Sequence, residues 1–325
     1  FLAVSWTDAV QASMMFTALV LTPIIVLNQV GGVEAASSIS LDFNPNSLSM
    51  FSGVSAIGII SSLAWGLGYF GQPHILARFM AAESIKSIPA ARRISITWMI
   101  LCLAGAVAVG FFGIAYFSPV ETITDEATLA AANRVLENPE RVFIEFSVLL
   151  FHPLIAGLLL AAILAAVMST LSAQLLVCSS SLTQDIYKPF IRPGASQKEL
   201  VWFGRFMVLA VALVAIYLAR DPNSKVLGMV SYAWAGFGAA FGPIVILSVF
   251  WSRLTAKGAL IGMIVGAATV LLWKNYVDSQ LYEIVPGFIL CGLAAIVVSL
   301  IDKKPSATML QTFDKVNQIM IDSRR

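Results

Sequence analysis

SSLAWGLGYFGQPHILARFMA, residues 61–81, is apolar enough for a membrane helix, yet Gly66, Gly68, Gly71 and Pro73 fall within eight residues. Trp65, Tyr69, Gln72 and His74 add hydrogen-bonding groups to the same stretch. A bilayer core offers no water to a broken backbone, so non-helical backbone survives there only when buried in protein or lining a wet cavity. Trp65, Tyr69 and Pro73 recur at intervals of four, so a helical path lines them along one face. Two readings fit: an interrupted helix that exposes backbone to a solute, or glycines that let helices approach closely. The run Gly66 to Gly71 also spells GxGxxG. No strand precedes it and no βαβ unit surrounds it, so the nucleotide reading fails.

Working outward, the 325 residues are 58% hydrophobic and 12% charged, with a mean hydropathy of +0.86. Soluble domains run at about 45–50% apolar and 25% charged, so this composition describes a polytopic all-α membrane protein and excludes a soluble enzyme. Eight apolar runs approach the length of about 20 residues that a span requires: 6–30, 53–81, 94–118, 152–184, 201–219, 226–251, 258–277 and 282–301. The one long connection, 119–151, is expected to hold two short helices. Of the 20 lysines and arginines, 15 fall on one set of alternate loops and in the tail. This bias places that set in the cytoplasm. The expectation is a membrane domain over 1–302 with loop 119–151 outside, and a cytoplasmic tail over 303–325.

Cys102, Cys178 and Cys291 lie in separate apolar runs and read as buried free thiols, not a disulfide framework. His74 and His152 are isolated, so no metal site of the zinc kind is expected. The chain opens at Phe1 inside an apolar run with no signal peptide before it, which suggests that an N-terminal part is absent.

The run 152–184 has a second pattern. Gly157, Ala161, Ala165, Ser169 and Ala173 repeat every four residues, a small-residue face that permits close helix approach. Ala166, Ser169 and Thr170 cluster beside it. Two hydroxyls next to a bare carbonyl give neutral oxygens of the kind a hard cation such as Na⁺ takes. The competing reading has both hydroxyls bonding back to their own helix. Asp8 also admits two readings. An acid in a span defaults to function, whereas Ser5-x-x-Asp8 spells a capping box at the start of the first span.

The two stretches WGLGYFGQPHILARFMA and AAILAAVMSTLSAQ together resemble the sodium:solute symporter family over essentially the whole chain. SYAWAGFGAAFGP (231–243) and SQKELVWFGR (196–205) narrow the resemblance to its bacterial sodium/proline branch. It implies a LeuT-type inverted-repeat fold of thirteen spans, of which the last eight are here. It implies that Trp65, Tyr69 and Pro73 contact L-proline, with Gly66 and Gly68 opening the backbone beside them. It also implies that the Ala166 carbonyl, Ser169 and Thr170 form part of a sodium site, and that Asp8 takes part in sodium-dependent transport.

The functional expectation is a bacterial inner-membrane importer of proline driven by Na⁺, with no cofactor and no nucleic-acid partner. A symporter for pantothenate, a carboxylate or a sugar is the alternative within the class. A transporter-like sensor domain is the alternative outside it.

Overall fold

Eight apolar runs become seven long helices and one interrupted one. The computed structural model describes residues 2–220 and 225–322. In chain order the helices are α1 (Leu2–Val30), α2 (Val33–Phe43), α3 (Ala56–Leu63), α4 (Pro73–Met80), α5 (Ile88–Phe117), α6 (Glu126–Glu137) and α7 (Val142–Leu150). They continue as α8 (Pro153–Ser180), α9 (Gln197–Leu218), α10 (Val226–Phe250), α11 (Ala256–Tyr276), α12 (Ile284–Ile301) and α13 (Ala307–Asp322). A 3₁₀ segment, Ala64–Gly71, joins α3 towards α4, and α8 runs on into a π-helical stretch, Ser181–Ile191. Helices α1, α5, α8, α9, α10, α11 and α12 have the length and apolarity to cross a bilayer. No strand occurs among the described residues. The chain is an all-α multi-span membrane protein.

Local chemistry sets the helix ends. Ser55, Asp125, Ser196 and Thr255 are extended N-cap residues, and their side chains accept from the N–H groups of Gly58, Thr128, Glu199 and Gly258. Each satisfies one of the donors a helix start leaves open. Between α1 and α2 the backbone turns through Gly31 and Gly32 at φ of 92° and 99°, a region that glycine enters without steric penalty. Loop 119–151 contains the two expected helices, α6 and α7.

The chain forms two compact units, residues 1–53 with 89–176 and residues 54–88 with 177–325. In the first, Val26, Val109, Phe117, Ala131, Ala132 and Phe146 make a buried core. A Cβ at Gly105 would overlap the Leu19 carbonyl oxygen. Pro23, four residues beyond Leu19, has no N–H to claim that carbonyl, so α1 and α5 meet backbone to backbone there.

In the second unit α11 buries Gly258, Gly262, Gly266 and Val270, facing Gly287, Cys291, Ala295 and Ser299 of α12. Both rows repeat with a spacing close to four, and side chains this small let the axes approach. The four-residue spacing of both rows is legible in the sequence itself.

Three expectations need correction. The small-residue face of α8 is only partly packed: Ala165 and Ala173 are buried, Gly157 has open space around it, and the core takes Ala156, Leu159 and Ala162 instead. The capping box at Ser5 does not form, because α1 already includes Ser5 and an N-cap must lie outside the helix. Cys178 is exposed on its helix surface, whereas Cys102 and Cys291 are buried.

Candidate functional site

The residues 61–81 do not unwind at the glycines. From Ala64 to Gly71 the chain tightens into a 3₁₀ helix and leaves helical geometry only at Gln72, at φ −80° and ψ 114°. Pro73 then opens α4 at its first position, where a missing N–H costs nothing and the ring's fixed φ suits the helix. The Gln72 carbonyl accepts from Ile75 and Leu76 at 3.1 and 3.0 Å, so the new helix is hydrogen-bonded from its first turn.

The three glycines separate by environment. A Cβ on Gly66 would meet nothing within 4 Å. On Gly68 it would overlap the indole nitrogen of Trp234, and on Gly71 the carbonyl oxygen of Phe237. Gly238 of α10 faces Gly68 in turn, with its added Cβ 2.7 Å from the Gly68 Cα. Gly68 and Gly71 therefore serve close packing against α10. Gly66 alone presents bare backbone to open space.

Around them stands an aromatic cluster. Trp65 stacks with Trp234 at 5.4 Å and 14° and with Tyr282 at 6.3 Å and 16°. Tyr69 meets Trp234 edge-on at 4.8 Å and 84°. The Tyr282 hydroxyl donates to the Ser231 carbonyl at 2.6 Å, and its backbone N–H donates to Ser61 at 3.0 Å. Trp65 and Pro73 are half-buried, whereas Tyr69 is 46% exposed. The four-residue spacing put Trp65, Tyr69 and Pro73 on one path. It gave no sign of Trp234 or Tyr282, which arrive from α10 and from the residues preceding α12, although Trp234 sits inside the quoted SYAWAGFGAAFGP.

The other candidates belong to the first unit. On α8 the Thr170 hydroxyl donates to the Ala166 carbonyl at 3.3 Å, the bond within its own helix that the competing reading expects. That bond uses the hydroxyl proton and leaves lone pairs on Oγ1 for a cation. Ser169 is half-buried, and Ser172 donates to the carbonyls of Met168 and Ser169 at 2.6 and 3.3 Å. Asp8 is half-buried on α1. Among the described residues no three His, Cys, Asp or Glu side chains gather as a metal site.

A membrane helix that tightens, breaks and restarts at a proline is a feature of ion-coupled carriers. The sodium:solute symporter family model matches residues 1–266, and the chain belongs to that family.

The particular relatives are proline carriers. The chain is 62% identical over 313 residues to the sodium/proline symporter of Escherichia coli K12, covering 96% of this chain and 61% of the relative. It is 50% identical to the high-affinity proline transporter of Bacillus subtilis, covering 98% and 65%. Against the osmoregulated proline transporter of the same organism it is 49% identical, covering 98% and 63%. The chain thus spans just under two thirds of the length of these relatives. A Na⁺-coupled sialic acid symporter, solved in a substrate-bound outward-open state, superposes with a TM-score of 0.65 at 20% identity, covering 93% of this chain and 63% of that one. That likeness carries the fold.

Proposed function

We propose that this chain carries most of a sodium-coupled importer of L-proline that works by alternating access in a bacterial inner membrane, with its C-terminus in the cytoplasm. The observation that carries the reading is 62% identity over 96% of the chain to a protein named a sodium/proline symporter. The lysine and arginine bias supports the orientation.

The solute site is assigned to the stretch around the helix break. Proline is a zwitterion with a compact apolar ring. Its carboxylate suits the positive end of α4, and its ring suits an aromatic wall to which Tyr69 contributes. Gly66 leaves space beside that wall, and Pro73 fixes where α4 begins. The Ala166 carbonyl, Ser169 and Thr170 supply neutral oxygens for the coupling ion. Asp8 is assigned to sodium dependence. At a potential of about 100 mV, each Na⁺ entering contributes roughly 2.3 kcal/mol to solute accumulation.

The deciding experiment uses the full-length protein in proteoliposomes. An inward sodium gradient should drive accumulation of radiolabelled L-proline, and a sodium ionophore should abolish it. Uptake indifferent to sodium, or selective for another solute, overturns the reading.

A further inference from the structure

One residue of α10 grips the 3₁₀ segment at both ends. The Trp234 indole N–H donates to the Trp65 carbonyl at 2.9 Å. Seven residues later the Gln72 side-chain amide, on a residue 3% exposed, donates to the Trp234 backbone carbonyl at 3.2 Å. The indole also stacks on Trp65 and meets the ring of Tyr69, and Gly68 lacks a side chain where that indole lies.

These contacts have a physical consequence. A 3₁₀ helix has poorer hydrogen-bond geometry than an α-helix and is seldom longer than four residues. This one runs for eight. It needs support from outside its own ladder, and a bond at each end from one rigid neighbour supplies it. Two bonds from a single residue also fix the phase of the segment, because rotating it would break both.

We propose that Trp234 is the positioning residue of the solute site. It holds the 3₁₀ segment in register and sets the orientation of Trp65 and Tyr69 without itself touching the solute. The inference rests on the solute assignment made above. A role confined to packing is the alternative, since Trp234 also borders the buried cluster of Ala64, Ala235, Ala239, Val270 and Ile284.

The test removes the N–H and keeps the ring. In the full-length protein, Trp234→Phe and a benzothienylalanine at position 234, which has the shape of tryptophan without the N–H, are compared with wild type. Sodium-driven proline uptake is normalised to protein in the membrane. Loss of one positioning hydrogen bond should raise KM about 3- to 10-fold with kcat per molecule held. An unchanged KM in the benzothienylalanine protein overturns the proposal, whatever happens to abundance or to Trp234→Phe. Wild type that fails to transport proline would instead refute the solute assignment alone. Tyr69→Cys, combined with Cys178→Ala because Cys178 is exposed, then decides the positioning role: its maleimide labelling rate should change several-fold when the Trp234 N–H is removed, and an equal rate refutes the role.

Discussion

Arg134 holds the carboxylate of Glu145 with two parallel hydrogen bonds, Nε to Oε1 at 3.0 Å and Nη2 to Oε2 at 2.8 Å. Arg141 adds two more to Oε1, at 3.2 and 3.1 Å. Glu145 is 3% exposed, and both arginines keep nearly half their surface in solvent. This clasp ties α6 to α7.

The hydrogen bonds from Arg134 are the chief reason the Glu145 carboxyl sits below its usual range. Burial opposes them and Arg141 assists. A depressed carboxylate gives stability that is complete above its unfolded pKa, about 4.3, and is lost as pH falls through the lower folded value. Protease resistance of loop 119–151 should therefore be flat from pH 8 to about 5 and should fall below about 4. Glu145→Gln should remove on the order of 1–3 kcal/mol, because the half-exposed arginines can rehydrate. It should also make the loop cleavable at neutral pH. Limited proteolysis across pH on both proteins checks this, and a wild-type loop that softens near pH 6 would show that another group governs it.

The glycines of the interrupted helix should part ways on substitution. Gly68→Ala drives a methyl into the Trp234 indole and Gly71→Ala drives one into the Phe237 carbonyl. Overpacking of this kind costs about 1–3 kcal/mol. Both should lower the amount of protein in the membrane. Gly66→Ala has open space and should leave abundance alone. If the space beside Gly66 receives solute, that methyl should raise the KM for proline. Quantitative blotting alongside uptake kinetics separates the outcomes, and equal loss of abundance in all three would show that Gly66 is a packing residue too.

Spans were legible because a hydrophobic run of about 20 residues has few other uses, and the break was legible because glycine and proline are rarely gathered in a span by chance. The kind of break was not. Composition cannot distinguish an unwound loop from a 3₁₀ turn, since the choice depends on Trp234 and Gln72, which are 162 residues apart and bonded through space. For the same reason the four-residue rule placed Trp65 and Tyr69 on one path but missed that Trp65 is stacked on two rings from elsewhere. Ser5-x-x-Asp8 misled because a capping box is a statement about a helix boundary, and α1 begins earlier. The small-residue rows of α11 and α12 carry the same four-residue spacing as the face of α8 and were legible in the same way.

Sodium dependence should depend on the α8 hydroxyls. Thr170 and Ala166 already present two oxygens side by side, and Ser169 lies one helical turn from Ser172 and Ala166. Ser169→Ala with Thr170→Ala removes the two hydroxyls assigned to the coupling ion and exchanges a weak intrahelical bond for none, which helices tolerate. The sodium concentration for half-maximal uptake should rise at least tenfold in the double variant, with abundance near wild type. Asp8→Asn, which keeps the shape and removes the charge, should act in the same direction. Titrating sodium in proteoliposomes tests both, and an unshifted sodium curve in the double variant would return those hydroxyls to a structural role.

Trp65 and Tyr69 should answer differently to truncation, although their spacing made them look alike. The Trp65 ring is stacked with Trp234 and Tyr282 and its carbonyl holds the Trp234 N–H. Trp65→Ala therefore removes a packing element, and both abundance and affinity should fall. Tyr69 touches the cluster through one edge-on contact with Trp234 and is 46% exposed. Tyr69→Ala should leave abundance close to wild type and act on affinity. If Tyr69 walls the pyrrolidine ring as assigned, losing it should cost about 1–3 kcal/mol, or roughly five- to a hundred-fold in KM. Tyr69→Phe keeps the wall and removes only the hydroxyl, so its KM should fall between those of wild type and Tyr69→Ala. Uptake of radiolabelled proline over a wide concentration range, normalised to membrane protein, measures all three. A Tyr69→Ala protein with normal KM would move the solute away from this face of the 3₁₀ segment, whatever Trp65→Ala does.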